Sequence, residues 1–338
     1  MRIALVAGPW LPVPPPAYGG TEGVIDRLAT GFQDAGHEVL LFTTGDSTCP
    51  VPKKWVRERA APELIGQSYV EVQHLLHAYD EVADFDIIHD HTVVGPTMAD
   101  SRANGVVVTT NHGPFTHELN EIYARAAEQA SVIAISHDQA SRATVPVSAV
   151  IHHGLRPEEW TVGAGDGDYV LFLGRFSPDK GAREAALAAH LSGVPLIMAA
   201  KMRERQEIDY FTEQVEPLLD THVQYVGEVA MEEKQKLLGS AKALLNPITW
   251  PEPFGLVMIE ALACGTPVLT LRSGAAPEIV EDGVTGFVFD RVEELASSLG
   301  QIDELDRGAC RKAVEGHFSA DRMVRDHLDL YERLLARG

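Results

Sequence analysis

Short apolar runs alternate with amphipathic stretches along most of this 338-residue sequence. The apolar runs of the first half are bounded by Gly, Asp, Asn or His, and almost every residue in them is apolar. Such runs are typical of strands buried on both faces of a parallel sheet. The predicted strands are Ile3–Ala7, Glu38–Phe42, Ile87–His89, Val106–Thr110, Val132–Ile135 and Ala149–Ile151.

The stretch between the first two runs has the pattern of a helix. Within Glu22–Ala35 the apolar residues recur at helical spacing, and Gly36 follows at the position where helices often end. A repeated order of strand, helix and strand predicts right-handed βαβ units, and therefore a doubly wound parallel sheet.

A second series of the same kind begins after residue 168. Between the two series, Arg156–Asp168 contains one proline and three glycines without periodicity, and we interpret this stretch as an interdomain linker. The second series has predicted strands at Tyr169–Leu173, Pro195–Ala199, Val223–Val226, Ala243–Asn246, Pro267–Thr270 and Gly286–Phe289. Its predicted helices are Ala182–Ser192, Tyr210–Leu219, Met231–Ser240 and Gly255–Ala263, and the chain ends in an amphipathic helix, Ala320–Leu335.

These elements predict an α/β protein with two doubly wound domains, over residues 1–160 and 166–316. Ligands of open α/β sheets bind at the carboxyl ends of the strands. If the two sheets face one another, a cleft between them is the expected site.

Composition narrows the classes of partner. The chain has 28 Lys and Arg against 49 Asp and Glu, a net charge of −21, which disfavours nucleic acid and anionic lipid as partners. No apolar run reaches the about 18–20 residues of a membrane-spanning helix, and the first run is too short for a secretory signal. Three cysteines without zinc-like spacing (Cys49, Cys264 and Cys310) are typical of a reduced, cytoplasmic protein.

Paired glycines precede the first predicted helix. Gly19 and Gly20 would let backbone N–H groups approach a ligand at the helix start, where the helix dipole favours an anion. The pair fits equally well a turn that needs glycine only for its backbone conformation. The spacing does not match the G-x-G-x-x-G of dinucleotide-binding domains.

Histidines stand at the ends of several strands of the first half. His89 and His91 share one face of an extended segment, so a metal site is one interpretation, but no further ligand is spaced suitably nearby. We favour a polar contact by one of the two histidines and a structural role for the other. His112 and the pair His152–His153 end other strands, and each is as readily a satisfied polar residue as a reactive one.

Two cations follow the first strand of the second half. Arg175 ends that strand and Lys180 precedes the next helix. A guanidinium and an ammonium that converge on one turn suit a diphosphate, because each can bind separate oxygens. Two solvated surface cations are the alternative.

Two glutamates, Glu252 and Glu260, give the most specific signal. Glu252 lies in a proline-bracketed loop, and Glu260 lies about 7.5 Å along the helix that follows. One ligand could contact Glu252 at one end, the helix N-terminus in its middle and Glu260 at the other end, as a sugar, a diphosphate and a ribose would. A structural role is the alternative, but an unpaired buried carboxylate on this apolar helix would be costly.

Several segments together resemble the retaining glycosyltransferases of the GT4 type, which have the GT-B fold of two facing Rossmann-like domains. The segments are Gly174-Arg-Phe-Ser-Pro-Asp-Lys-Gly181, Pro251-Glu-Pro-Phe-Gly-Leu-Val-Met-Ile-Glu-Ala-Leu-Ala-Cys-Gly-Thr-Pro-Val268, Pro277-Glu-Ile-Val280 and Asp282-Gly-Val-Thr-Gly286. Tyr18-Gly-Gly-Thr-Glu22 and His89-Asp-His91 extend the resemblance into the first half.

The resemblance implies a nucleotide-diphospho-sugar donor, with UDP, GDP or another nucleotide as its carrier. The diphosphate would bind Arg175, Lys180 and the backbone at Gly19–Gly20, the donor sugar would bind Glu252, and the ribose would bind Glu260. Further donor contacts are implied for the amides of Phe254, Gly255 and Leu256, and the base would lie beside Tyr225–Glu228, including Gly227 and Glu228. His91 would face the reacting sugar, and Tyr18 and His112 would lie on the acceptor side.

The resemblance also implies the reaction. The acceptor hydroxyl would attack on the face that the diphosphate leaves, without a metal or other cofactor, and His91, Glu252, Arg175 and Lys180 would be the catalytic residues. The expected acceptor is a soluble saccharide or small molecule, and residues 320–338 would rejoin the first domain. An epimerase or phosphorylase on the same fold, or a non-catalytic sugar-nucleotide-binding protein, remain alternatives.

Overall fold

The computed structural model describes residues 1–16 and 19–337, apart from the side chains of residues 100 and 101. These residues form two compact units. Unit 1 comprises Met1–Gly154 and Ala320–Gly338, and unit 2 comprises Leu155–Ser319.

The elements alternate along the chain. The strands are β1 (Arg2–Val6), β2 (Glu38–Thr43), β3 (Lys53–Trp55), β4 (Ile87–Asp90), β5 (Val106–Thr110), β6 (Ala130–Ala134), β7 (Val147–Val150), β8 (Val170–Arg175), β9 (Leu196–Lys201), β10 (Val223–Gly227), β11 (Leu244–Asn246), β12 (Val268–Leu271) and β13 (Gly286–Phe289). The helices are α1 (Gly20–Asp34), α2 (Ser68–Val82), α3 (His117–Ala126), α4 (His137–Ser141), α5 (Ala182–Ser192), α6 (Arg205–Tyr210), α7 (Met231–Ser240), α8 (Leu256–Ala263), α9 (Ala276–Ile279), α10 (Glu293–Ser298), α11 (Arg307–His317) and α12 (Ala320–Leu335).

Each unit is built on one parallel sheet, which confirms the predicted α/β class. The sheet of unit 1 has the strand order β3-β2-β1-β4-β5-β6-β7, and that of unit 2 has the order β10-β9-β8-β11-β12-β13. Side chains of the inner strands are buried, as the apolar runs of the sequence predicted.

Strand β3 was not predicted. Lys53–Trp55 is short and largely exposed at the edge of the sheet, so it lacks the apolar run that marks the inner strands.

Helices α1 and α12 pack against each other within unit 1. The buried face of α1 is the one that its apolar spacing predicted: Val24, Ile25, Leu28, Ala29 and Phe32. A Cβ on Gly31 would lie 2.4 Å from Cγ2 of Val324, so only glycine permits this approach of the two helices.

The stretch expected to be a linker belongs to unit 2. Within Arg156–Asp168, the N–H of Gly163 donates to the carbonyl of Cys264, and the N–H groups of Gly165 and Gly167 donate to those of Gly239 and Ser240. The three glycines let the backbone lie against these loops, so the absence of periodicity marked a packed irregular segment.

The helix predicted over Tyr210–Leu219 is shorter and begins earlier. It starts at Arg205, where Glu204 and Glu207 form a capping box, and after Tyr210 the chain continues as a π turn and a 3₁₀ turn. Pro217 lies in the 3₁₀ turn and has no N–H to donate, and the helical segment ends after Leu218.

In the part of the chain that the structure describes, no helix combines the length and the apolar character that crossing a membrane requires.

Candidate functional site

In unit 2, two loops at the carboxyl ends of β8 and β11 are joined. The turn after β8 contains Gly181, whose φ of 73° is left-handed, and a Cβ there would lie 2.1 Å from the carbonyl oxygen of Pro247. The N–H of Thr249 donates to the carbonyl of Asp179 at 3.0 Å. The turn that carries Lys180 is therefore held against the loop that carries Glu252.

Lys180 and Glu252 form an ion pair at this junction. The ammonium Nζ lies 2.5 Å from Oε1 of Glu252, and the two side chains are only 14% and 17% exposed. The ammonium also lies 5.9 Å from the ring centroid of Trp250. The other oxygen, Oε2, is buried, and no described group forms a hydrogen bond with it. Glu252 thus has one oxygen bound to a cation and one buried oxygen without a described hydrogen-bond partner.

The backbone of Glu252 is fixed from the neighbouring strand. The N–H of Ala275 donates to the carbonyl of Glu252 at 3.0 Å. A Cβ on Gly274 would lie 2.3 Å from that carbonyl oxygen, so the loop after β12 can approach this closely only with glycine at the position.

Helix α8 begins beside the carboxylate. Its N-cap, Gly255, has φ of 95°, and a Cβ there would lie 3.6 Å from Oε2 of Glu252. The first N–H groups of an α-helix have no intrahelical acceptor, and the helix dipole favours negative charge beside them. The predicted amides of Phe254, Gly255 and Leu256 lie at this helix start, so the loop and the helix together could hold an anion.

Arg175 lies near a different carboxylate. Its Nη1 is 3.8 Å from Oε1 of Glu207, and Nζ of Lys201 is also 3.8 Å from that oxygen. Glu207 is 3% exposed, and its Oε2 accepts the N–H groups of Arg203 and Glu204. Arg175 and Lys201 are register partners at the ends of β8 and β9, so Glu207 holds two neighbouring cations.

Glu207 and Lys201 were not predicted from the sequence. The capping box Glu204-x-x-Glu207, directly after a strand that ends in lysine, was the signal that could have identified them.

Glu260 is paired, which corrects the argument made from its sequence position. Nζ of Lys234, on α7, lies 2.9 Å from Oε1 of Glu260, and the two side chains are 19% and 16% exposed. The carboxylate is therefore not the costly unpaired charge that we had weighed against a structural role. Sequence analysis did not identify Lys234.

The segment Tyr225–Glu228, which was expected beside the nucleotide base, lies at the end of β10. Gly227 has φ of 89°, with open space where a Cβ would be, and Glu228 forms a two-pronged ion pair with Arg203. The ring of Tyr225 packs against Phe176, and its hydroxyl donates to the carbonyl of Ala200. Gly227 and Glu228 are thus at the sheet edge, while Tyr225 belongs to the packing beneath it.

In unit 1, His89 and His91 have different surroundings. His89 is fully buried, with Nε2 bonded to Oγ1 of Thr110 at 2.8 Å and Nδ1 bonded to the hydroxyl of Tyr331 at 2.6 Å. Nδ1 of His91 lies 2.9 Å from Nε2 of His112, whereas Nε2 of His91 is buried without a described hydrogen-bond partner.

The strand-end histidines form one cluster together with His327 of α12, and this clustering was not predicted. Ring centroids are 4.0 Å apart for His89 and His91, 5.2 Å for His112 and His153, and 5.4 Å for His89 and His327. Burial, reinforced by neighbouring imidazoles, lowers the pKa of His91 well below its usual value and lowers the pKa of His112 to about 3. The cluster is therefore neutral at pH 7.

Two neutral rings that share one hydrogen bond have outer nitrogens of opposite character. If His91 donates its Nδ1–H to His112, then Nε2 of His91 is an acceptor and Nδ1 of His112 is a donor. If His112 donates, both roles reverse. The pair therefore offers one donor and one acceptor to a polar ligand, and His112 decides which of them His91 supplies.

Gln139 holds the backbone on both sides of His112. Its side-chain NH₂ donates to the carbonyls of Asn111 and Gly113 at 2.8 and 2.6 Å, and its Oε1 accepts the N–H of Ile135 at 2.7 Å. This 1%-exposed side chain, unnoticed in the sequence, fixes the loop after β5 to the end of β6.

The remaining predicted residues of unit 1 lie at the start of α1. Gly20 is the first residue of the helix, and Gly19 precedes it as N-cap with an extended φ of 170°. Tyr18 lies outside the described residues. No group of three or more His, Cys, Asp or Glu among the described residues has the arrangement of a metal site.

Two family models match adjacent parts of the chain. The model described as "Glycosyltransferase Family 4" matches residues 18–159, and that described as "Glycosyl transferases group 1" matches residues 161–312. The first match covers the histidine-bearing strands of unit 1, and the second covers Arg175, Lys180, Glu252 and Glu260.

Known proteins resemble the chain over almost its whole length. The phosphatidyl-myo-inositol mannosyltransferase of Mycolicibacterium smegmatis is 25% identical over 93% of this chain and 89% of its own. AviGT4, a glycosyltransferase involved in avilamycin A biosynthesis, is 26% identical, with a TM-score of 0.73 over 100% of this chain and 98% of its own. HepE of Anabaena, crystallised with UDP-glucose, is 20% identical, with a TM-score of 0.77 over 99% of this chain and 100% of its own.

Proposed function

The chain belongs to glycosyltransferase family 4 and has the GT-B fold, and from this membership we propose that it transfers a sugar from a nucleotide-diphospho-sugar to an acceptor hydroxyl with retention of anomeric configuration. Unit 2 would bind the donor. Unit 1 would contribute the residues of the acceptor side.

The observation that carries the proposal is the surroundings of Glu252. Its Oε1 is bound to Lys180, its buried Oε2 has no described hydrogen-bond partner, and the start of α8 lies beside it. Oε2 could accept hydroxyls of the donor sugar. The remaining N–H groups of the Lys180 ammonium and the first amides of α8 could bind the diphosphate, because both favour an anion.

Departure of the diphosphate defines what the site must stabilise. The bond between the anomeric carbon and the phosphate oxygen breaks, and its electron pair stays on the phosphate. Lys180, Arg175 and the dipole of α8 would stabilise the resulting negative charge. The acceptor hydroxyl would attack the same face of the sugar and give its proton to the departing phosphate oxygen, so Glu252 would bind the sugar and form no covalent bond to it.

His91 would contribute a hydrogen bond at the reacting sugar. Its buried Nε2 lacks a described partner, and its hydrogen bond to His112 fixes the ring. Because the pKa of His91 is lowered well below its usual value, the ring would act as a neutral donor or acceptor.

Different observations support the proposed donor class and the proposed acceptor class. HepE was crystallised with UDP and with UDP-glucose, which supports a UDP-sugar as the first donor to test, with GDP-sugars as the second. The net charge of −21 favours a soluble saccharide or small-molecule acceptor over an anionic lipid.

The test is a transfer assay with UDP-, GDP- and dTDP-sugars, each with and without candidate acceptors. We expect transfer only with an acceptor, and an α-linked donor should give an α-linked product in the NMR spectrum of the anomeric proton. The Glu252→Gln variant should lose about 100-fold or more in kcat/KM, whereas Glu232→Gln, an 85%-exposed control on α7, should retain wild-type activity. An inverted product, a covalent sugar on Glu252, or conversion of the donor sugar without any acceptor would contradict the proposal.

A further inference from the structure

Lys234 and Glu260 are bound to each other although they lie on different helices. The ammonium of Lys234 on α7 is 2.9 Å from Oε1 of Glu260 on α8, and each side chain is less than one-fifth exposed. Among the described residues, Oε2 of Glu260 has no hydrogen-bond partner. The contact therefore occupies one carboxylate oxygen and leaves the other accessible.

An aromatic ring holds the lysine from a second direction. Nζ of Lys234 lies 5.2 Å from the ring centroid of Trp160, which is 4% exposed. The carbonyl of Trp160 in turn accepts an N–H of Arg311 on α11 at 2.8 Å. The ammonium is thus fixed between a buried ring and the carboxylate, and such contacts are favourable for a cation.

A glutamate without such a partner rotates freely about its last torsion. With Oε1 fixed by Lys234, the plane of the Glu260 carboxylate is set before a ligand arrives. Two neighbouring hydroxyls can then bind without the loss of side-chain conformational entropy that would accompany binding to a mobile carboxylate.

We propose that Lys234 is a positioning residue that fixes Glu260 for the vicinal hydroxyls of the donor ribose. This rests on the proposed function, in which Glu260 binds the ribose of the sugar nucleotide. Trp160 is the support that keeps the ammonium of Lys234 in place.

The experiment measures how strongly the protein distinguishes a ribose from a sugar that lacks both hydroxyls. The Kd values of UDP and 2′,3′-dideoxy-UDP are measured by calorimetry, together with the corresponding guanosine pair. We define the ribose ratio as the Kd of the dideoxy compound divided by that of the parent nucleotide. For the wild-type protein we expect a ribose ratio of about tenfold or more, the effect of hydrogen bonds to a charged group.

Lys234→Met should reduce the ribose ratio to below about threefold, and Lys234→Arg should restore most of it, because arginine keeps a cation beside Oε1. Lys236→Met is the matched control, since Lys236 lies on the same helix, is 63% exposed and pairs only with Glu232 and Glu233 among the described residues. It should keep the wild-type ratio. If Lys234→Met does not fold, Lys234→Gln gives the same comparison with a polar side chain.

The variant Glu260→Gln tests the assignment of Glu260 to the ribose separately from the positioning role of Lys234. If Glu260→Gln lowers the ribose ratio but Lys234→Met leaves it at the wild-type value, the role of Lys234 is wrong and that of Glu260 stands. If Glu260→Gln also leaves the ratio unchanged, the ribose assignment itself is wrong, and this inference is overturned with it.

Discussion

Glu252 and Glu260 share one arrangement although they lie in different local structures. In each, Oε1 is bound to a lysine, and Oε2 has no described hydrogen-bond partner. The two lysines, Lys180 and Lys234, come from different helical segments that follow different strands. Each carboxylate is therefore paired with a cation and oriented through one oxygen, as a binding site for hydroxyl groups requires.

The histidine cluster of unit 1 makes stability depend on pH. Burial lowers the pKa of His112 to about 3 and that of His327 to about 4, and lowers those of His89, His91 and His153 well below 6.5. Below pH 6.5 the unfolded chain binds protons that the folded cluster does not, so the free energy of unfolding falls as the pH falls.

We predict that the folded protein loses stability from pH 7 to pH 5, by up to about 1.4 kcal/mol per pH unit for each of these histidines. Asp90, Glu22 and Glu71 act in the opposite direction, because burial raises their pKa values, that of Asp90 to about 6, but the five histidines outnumber them. Urea unfolding at a series of pH values measures the effect, and His327→Phe should make the dependence shallower. A free energy of unfolding that stays constant from pH 7 to pH 5 would contradict this account of the cluster.

The residues of the proposed site were easier to predict from the sequence than their partners. Arg175, Lys180 and Glu252 were recognisable because each stands in a motif that follows a strand, and Glu260 because it lies in the helix that continues the Glu252 motif. Their contacts with Lys234 and Glu207 depend on segments 26 or more positions away, which no local pattern records. The clustering of the histidines likewise required knowing which strands are neighbours in the sheet.

At the scale of elements, the proposed donor site depends on two loops that only glycine permits. Gly274 brings the loop after β12 against the backbone of Glu252, and Gly255 starts α8 with a left-handed conformation. The inner strands and the helices α1, α5, α7, α8 and α12 were predicted from apolar periodicity, whereas α2, α3, α4, α9, α10 and α11 were not predicted. The polar edge strand β3 has no apolar run, and α6 starts at the capping box Glu204-x-x-Glu207, a signal that apolar periodicity does not include.

We predict that Gly274→Ala destabilises unit 2 by about 2–4 kcal/mol and weakens nucleotide binding. Its φ of 55° is unfavourable for alanine, and the added Cβ would lie within 2.4 Å of two backbone atoms of Glu252. Gly193→Ala is the matched control, because its φ is 73° but nothing lies within 4 Å of the added Cβ. It should lose only about 1 kcal/mol and bind nucleotide normally. Stability is measured by thermal unfolding and nucleotide affinity by calorimetry. Equal losses in the two variants would show that backbone strain alone causes the effect of Gly274→Ala, and that its contact with Glu252 does not matter.

At the scale of the whole molecule, we propose that the two tasks of glycosyl transfer are divided between the two units. Unit 2 carries the cations, the glutamates and the helix start that we assign to the donor, and unit 1 carries the buried imidazoles. The sequence predicted the α/β class of both from their strand–helix alternation. It did not predict that Arg156–Asp168 packs into unit 2. An irregular segment has the same lack of periodicity whether it packs within a domain or connects two domains.

The central claim is that unit 2 binds the diphosphate of a sugar nucleotide at Lys180 and the start of α8. A crystal structure of the protein with UDP-glucose, or with a GDP-sugar if that is the donor that turns over, tests it most directly. We predict a phosphate oxygen within about 3 Å of Nζ of Lys180, with the ribose hydroxyls on Glu260 and the sugar on Oε2 of Glu252. A nucleotide bound elsewhere, with Lys180 still engaged by Glu252 alone, would contradict the account.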